Sequence, residues 1–174
     1  GMVDLHSHVG GTRRDINDMV HQTNPGLRVA PTVVPGNASL LVGLSAGVTT
    51  TLYIPGSGTN IGGQGVLLKT GFKTYEEMVM RDPGSLKIAQ GDNPTRWGFR
   101  MGRITMAWNL SRVIREGVAY AKSWEAHERD GSPKPRRDLR LDIFRDLVSK
   151  KTQVSTHTQY YHLVLTTITM LARD

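Results

Sequence analysis

Two spacings of apolar residues organise this chain. Val3 to His8 (VDLHSH) is a short strand pattern, followed by Gly10-Gly11. The stretch after it, through Pro25, Pro31 and Pro35, has no period and reads as a long polar excursion with several turns. Asn37 to Ala46 then reads as a helix stopped by Gly47. Val48 to Ile54 is rich in β-branched residues and predicts a strand that ends at Pro55. A glycine-rich loop is expected from Gly56 to Gly65, a short strand from Val66 to Thr70, and a short helix from Thr74 to Met80. In that helix Glu77 stands three residues after Thr74, the spacing of a capping box.

Ser85 to Gln90 (SLKIAQ) is the next predicted strand, and the polar stretch Gly91 to Gly102 leads into a long helix. Leu110, Val113, Ile114, Val118 and Ala121 form one stripe of a 3.6-residue period along it. The Gly131–Pro135 turn ends that helix. Asp138 is expected to cap another, with Leu139, Ile143, Phe144, Leu147 and Val148 on one side. Thr152 to Thr158 predicts a strand and Tyr160 to Arg173 a closing helix. Strand and helix alternating in this way predict an α/β fold of about five βα units with parallel strands.

Composition narrows the function classes. The 174 residues suit a single domain, and 38% are hydrophobic, enough to exclude a disordered chain. The net charge of +7 permits anionic partners. Its densest groups, Arg96 to Arg103 and Lys134 to Arg140, lie in stretches that read as solvated loops, so no nucleic-acid partner is expected. No apolar run approaches the ~18 residues of a membrane span, so no membrane partner is expected either. The start has no signal-peptide pattern and Gly1 reads as a tag remnant, leaving the compartment open with the cytoplasm as default. Without cysteine there is neither a disulfide framework nor thiolate metal ligation.

Candidate chemistry centres on three histidines and a lysine. In a strand, residues two apart share a face, which puts Asp4, His6 and His8 on one side with the imidazoles about 7 Å apart along the strand. Both could reach one metal at the strand's carboxyl end, where ligands collect in parallel α/β sheets. His157 also falls near a strand end; it is either a ligand or a buried histidine bonded to backbone. Lys87 lies inside an apolar strand, where an unpaired ammonium is costly. It either serves chemistry, snorkels from a sheet edge, or pairs with Asp92. His21, His127 and His162 read as surface residues. The Gly56–Gly65 loop is not a phosphate loop: no Lys-Ser/Thr follows it, and Ile61 stands where a dinucleotide fingerprint needs its third glycine.

VDLHSHVG, GLSAGVTTTLYIPGSG, GTNIGGQG, LKIAQGDNPTR and VSTHT, in this order, resemble the amidohydrolase superfamily, in particular its imidazolonepropionase-like branch. The resemblance covers nearly the whole chain. It implies a (β/α)8 TIM barrel with one or two divalent metals, usually zinc, at the strand carboxyl ends, hydrolysing amide bonds of a small-molecule substrate. His6 and His8 match the first-strand ligands and His157 the fifth-strand histidine. Lys87 lies where binuclear members carry a lysine carboxylated by CO2 that bridges the metals. The family's sixth-strand histidine and general-base aspartate on the eighth strand have no counterpart here. The resemblance therefore implies a partial barrel over residues 1–174, about its N-terminal two-thirds, with metal partial or absent and hydrolysis lost. The alternative is a non-catalytic half-barrel that serves as an assembly or binding module. Open sheet edges imply a homo-oligomer.

Overall fold

The computed structural model describes residues 1–97 and 100–174; Gly98 and Phe99, inside the basic Arg96–Arg103 group, lie outside the described residues. Five strands, β1 (Met2–Ser7), β2 (Val48–Tyr53), β3 (Ile61–Lys69), β4 (Val79–Ala89) and β5 (Val154–His157), form one sheet in chain order. Around it lie α1 (Ala38–Ser45), α2 (Tyr75–Met78), α3 (Asn93–Arg96), α4 (Arg103–Asp130), α5 (Asp142–Val148) and α6 (Tyr161–Arg173).

The expectation of parallel strands holds at two of the four pairings and fails at the others. β1 pairs with β2 and β4 with β5 in parallel, whereas β3 runs antiparallel to both β2 and β4. Connection length decides this. A parallel crossover needs a dozen or more residues. Residues 8–47 and 90–153 supply that length with helices in them, while 54–60 and 70–78 do not. The resulting sheet is mixed, with β3 reversed among four strands of one direction.

Strand β3 also takes in half of the expected glycine loop. Near its start a strap from the polar excursion supplies the pairing: Asn24 N–H donates to the Ile61 carbonyl at 2.8 Å and Gln64 N–H to that of Leu27 at 2.7 Å. Glycine is what lets the strap come this close. A Cβ on Gly63, at φ 120°, would lie 2.7 Å from the Leu27 carbonyl oxygen.

Local signals account for most helix ends. Asn37 accepts from the Ser39 amide at 2.8 Å, and Thr74 with Glu77 forms the anticipated capping box. Gly131 closes α4 in the left-handed conformation, its N–H on the His127 carbonyl. Asp138 departs from expectation. Its carboxylate binds the Arg140 guanidinium and backbone instead of capping a helix, so α5 begins only at Asp142 and Leu139 is exposed.

Two buried clusters form the core: Leu40, Tyr53, Val66, Leu68 and Met78 gather in the smaller, and the larger lies on the outer face of the sheet. Ile61, Leu86 and Ile88 pack there against Leu110, Val113 and Ile114 of α4 and Ile143 and Phe144 of α5. Because strand side chains alternate, Lys87 between Leu86 and Ile88 must point to the opposite face. Lys87 nevertheless reaches His6 on β1, three strands away. A flat sheet would hold those backbones about 14 Å apart. The contact therefore reports a sheet curled around its inner face, which is where the site sits.

Candidate functional site

Lys87 is fully buried at 0% exposure, and its Nζ donates to His6 Nε2 at 3.1 Å. Neither bland alternative for this lysine applies. It does not snorkel, and Asp92 is engaged elsewhere, accepting from the Tyr160 hydroxyl at 2.6 Å. Burial lowers the Lys87 pKa from 10.5 to about 8, since desolvation disfavours its charged form. His6 is lowered to about 4 by partial burial first and then by the adjacent ammonium, with His8 and His157 adding to the effect.

His8 lies just beyond β1, and its ring stands edge-on to His6 with centroids 5.4 Å apart. Its Nδ1 lies 2.9 Å from the Ile54 carbonyl oxygen. A carbonyl can only accept, so the proton is on Nδ1 and the Nε2 lone pair is free. Burial lowers the His8 pKa, partly opposed by that same bond.

His157 ends β5 and is held by Ser57 Oγ, 2.9 Å from its Nδ1. Its Nε2 is buried. Burial and the Lys87 charge both lower its pKa, opposed by a side-chain hydrogen bond between the ring and Gln159. All three imidazoles are thus held neutral at pH 7, with nitrogen lone pairs available. The ring packs against the chain at Gly91, where a Cβ would lie 2.9 Å from His157 Cδ2.

The four residues singled out by sequence are therefore brought to one face, each within electrostatic reach of others. In donor type they suit a borderline divalent cation such as zinc. As they stand they are not a finished chelate: among the described residues no three His, Cys, Asp or Glu side chains form a metal-holding group. The Lys87 ammonium lies 3.1 Å from the His6 nitrogen that a cation would need. His21 and His162 are exposed, and the half-buried His127 has its Nδ1 2.7 Å from the Ser132 carbonyl oxygen, so none of these joins the site.

Sequence reasoning missed Ser57, which carries no signature inside a glycine-rich loop, and the Ile54 carbonyl, which no side-chain pattern reveals. A cavity of about 450 Å³ under Arg14–Met19 adjoins the site at Pro55 and Gly62, and a Cβ on Gly62 would lie 3.6 Å from Lys87 Cγ. Neither this cavity nor a second of about 450 Å³ between α4 and α5 is lined by His6, His8, Lys87 or His157 themselves.

No family model matches the chain. Over 114 residues it is 30% identical to amidohydrolase tasK of Hapsidospora irregularis, covering 55% of this chain and 12% of that protein. Its fold is similar to that of an amidohydrolase from Thermotoga maritima MSB8, with a TM-score of 0.86 and 26% identity, covering 99% of this chain and 48% of that one. The chain thus spans about half the length of the Thermotoga protein and a much smaller share of tasK. Both likenesses are to amidohydrolases, and neither singles out a branch among them.

Proposed function

We propose that this chain carries part of the centre of a metal-dependent amidohydrolase, with His6, His8, His157 and Lys87 as the residues that hold the metal. The observation that supports this reading most is the buried Lys87 amine beside the imidazoles, an arrangement that costs stability and therefore calls for a functional reason. A divalent ion, zinc by donor type, would supply an activated water and a polarised amide carbonyl.

The remaining chemistry belongs to the protein's own groups. His8 presents an Nε2 lone pair, with Nδ1 held by the Ile54 carbonyl, and the His157 ring lies between Ser57 and Gln159. With a pKa of about 8, roughly a tenth of Lys87 is the free amine at pH 7. That amine can add to the carbon of CO2 through its lone pair and release one proton to solvent, leaving a carbamate. The step replaces a buried cation by an anion, which releases the His6 nitrogen from the ammonium and provides two oxygen donors. The cavity beside Gly62 is where we place a small-molecule substrate. An aspartate to take the proton of the water, as the resemblance implies, has no counterpart among the residues assigned here. This chain alone is accordingly expected to bind metal incompletely and to cleave no amide.

Equilibrium dialysis against zinc tests the reading. Wild type should retain the ion at or below one per chain, and His8→Ala and His157→Ala should each retain less. Equal retention by all three proteins would sink the proposal, as would two tightly held ions per chain. A second reading, a half-barrel that assembles with another copy, is favoured by the face of β1 away from the site, where Val3 and Leu5 are both more than half exposed.

A further inference from the structure

We propose that Gln159 is a positioning residue: its carboxamide braces the His157 ring against the segment that follows β4, and so fixes where that imidazole stands in the site. This rests on the functional reading only in taking His157 as a metal ligand; the brace itself belongs to this chain alone.

Gln159 continues the β4–β5 ladder past the point where the backbone stops pairing. In a parallel pair, every second amide of one strand donates to every second carbonyl of the other. Leu86 N–H donates in this way to the Gln153 carbonyl at 2.8 Å, and Gln90 N–H to that of His157 at 2.9 Å. Two residues further, the repeat would call on the Gln159 carbonyl. The Asp92 N–H instead donates to the Gln159 side chain, Oε1, at 2.7 Å. The Tyr160 hydroxyl then donates to Asp92 Oδ2 at 2.6 Å. The segment leaving the lysine strand is thus stitched to the segment leaving the histidine strand, and Gln159 makes the middle bond.

The same carboxamide is hydrogen-bonded to the His157 ring. An amide side chain carries a donor and an acceptor, so it can meet a ring nitrogen in either tautomer. Gly91 makes the room for both groups. A Cβ there would lie 2.7 Å from Gln159 Oε1, 2.9 Å from His157 Cδ2 and 3.1 Å from its Nε2. Carboxamide and imidazole therefore lie side by side against one bare Cα. With Ser57 at Nδ1, the ring is held from two directions, and Gln159 is the contact that refers it to the strand of Lys87.

Two variants of the metal-free protein test this by NMR. Gln159→Leu removes both bonds, and Gly91→Ala keeps the carboxamide but crowds it away from the ring. Both should shift and broaden the His157 ring resonances and leave those of His8 unchanged. In Q159L the Asp92 amide should also exchange with solvent about fivefold faster, as for one lost hydrogen bond. The Gln64 amide, bonded to the Leu27 carbonyl, should keep its rate. A merely structural stitch would free the Asp92 amide and leave the His157 ring where it is, and that result overturns the proposal. Zinc titration against a competing chelator gives a further readout, with Q159L expected to bind about 10–100-fold more weakly, as for loss of an orienting partner. Equal zinc affinity in Q159L and wild type also overturns it. A displaced ring in a protein whose wild type takes up no zinc supports the brace and removes the metal reading instead. Disturbed His8 signals mark a variant with a general loss of structure, and the other variant then decides.

Discussion

Lys87 sets residue-scale stability against residue-scale chemistry. Its folded-state pKa, about 8, lies below the ordinary 10.5. Between those values the unfolded chain binds more protons than the folded one, so this group's contribution to stability rises with pH across that window. Below about pH 8 the full penalty of a buried charge is present, and above about 10.5 it is gone. Lys87→Met should therefore stabilise the protein at pH 7, by on the order of 2–3 kcal/mol. That advantage should shrink towards zero as pH approaches 10.5. Urea denaturation of both proteins at pH 7 and pH 10 checks this, and a mutant no more stable than wild type at pH 7 contradicts it. The same substitution should abolish any CO2-dependent gain in zinc binding. The histidines and Lys87 were legible in the sequence because strand periodicity makes residues two apart share a face and makes a lysine among apolar neighbours conspicuous. Ser57 was not legible, since only folding brings it to a ring a hundred positions away.

Within the helices, two glycines with the same intrinsic penalty should respond oppositely to alanine. Inside α1, a Cβ on Gly43 would meet only Val48 at 3.9 Å, an ordinary contact. Gly43→Ala should add about 0.5–1 kcal/mol by lowering the entropy of the unfolded chain and improving helix propensity. On α4, a Cβ on Gly117 would fall 2.2 Å from the Phe144 ring of α5. Gly117→Ala must push the two helices apart, and overpacking of about 1–3 kcal/mol outweighs the propensity gain of about 1 kcal/mol. Denaturation midpoints moving in the same direction for both variants would refute this account. The stripe on α4 was readable, and Leu110, Val113, Ile114 and Ala121 are buried as its period predicts. The glycine-rich stretch misled because composition marks a turn, whereas here the glycines admit a neighbouring backbone to a strand.

For the whole molecule, exposed apolar surface gathers on β1 and α6. Val3 and Leu5 are 57% and 54% exposed, and Tyr161 and Ile168 on α6 are 80% and 59% exposed. β1 also has a neighbour on one side only, which leaves a free strand edge. Self-association is the expected outcome at micromolar concentration. Light scattering should give a mass above that of the 19.2 kDa chain, and Leu5→Lys should lower it. A monomeric mass for wild type at high concentration removes this expectation. Among the described residues no helix is long and apolar enough to cross a membrane.

Local information determined most of the element types, together with the caps at Asn37 and Thr74, the buried stripe of α4 and the side chains able to do chemistry, because each of these depends on neighbours a few positions away. It did not determine the strand half of the glycine-rich stretch, the start of β4 at Val79 or the short α3. Strand direction was decided by tertiary structure, since it follows from which segments were long enough to cross over and which had to turn back. Tertiary structure also decided the curl that carries Lys87 across three strands to His6, and the bonds that Ile54 and Ser57 make to two imidazoles. Donor type is a property of a residue. Distance, burial and tautomer are properties of its surroundings, and in this chain those surroundings are assembled from strands far apart in sequence.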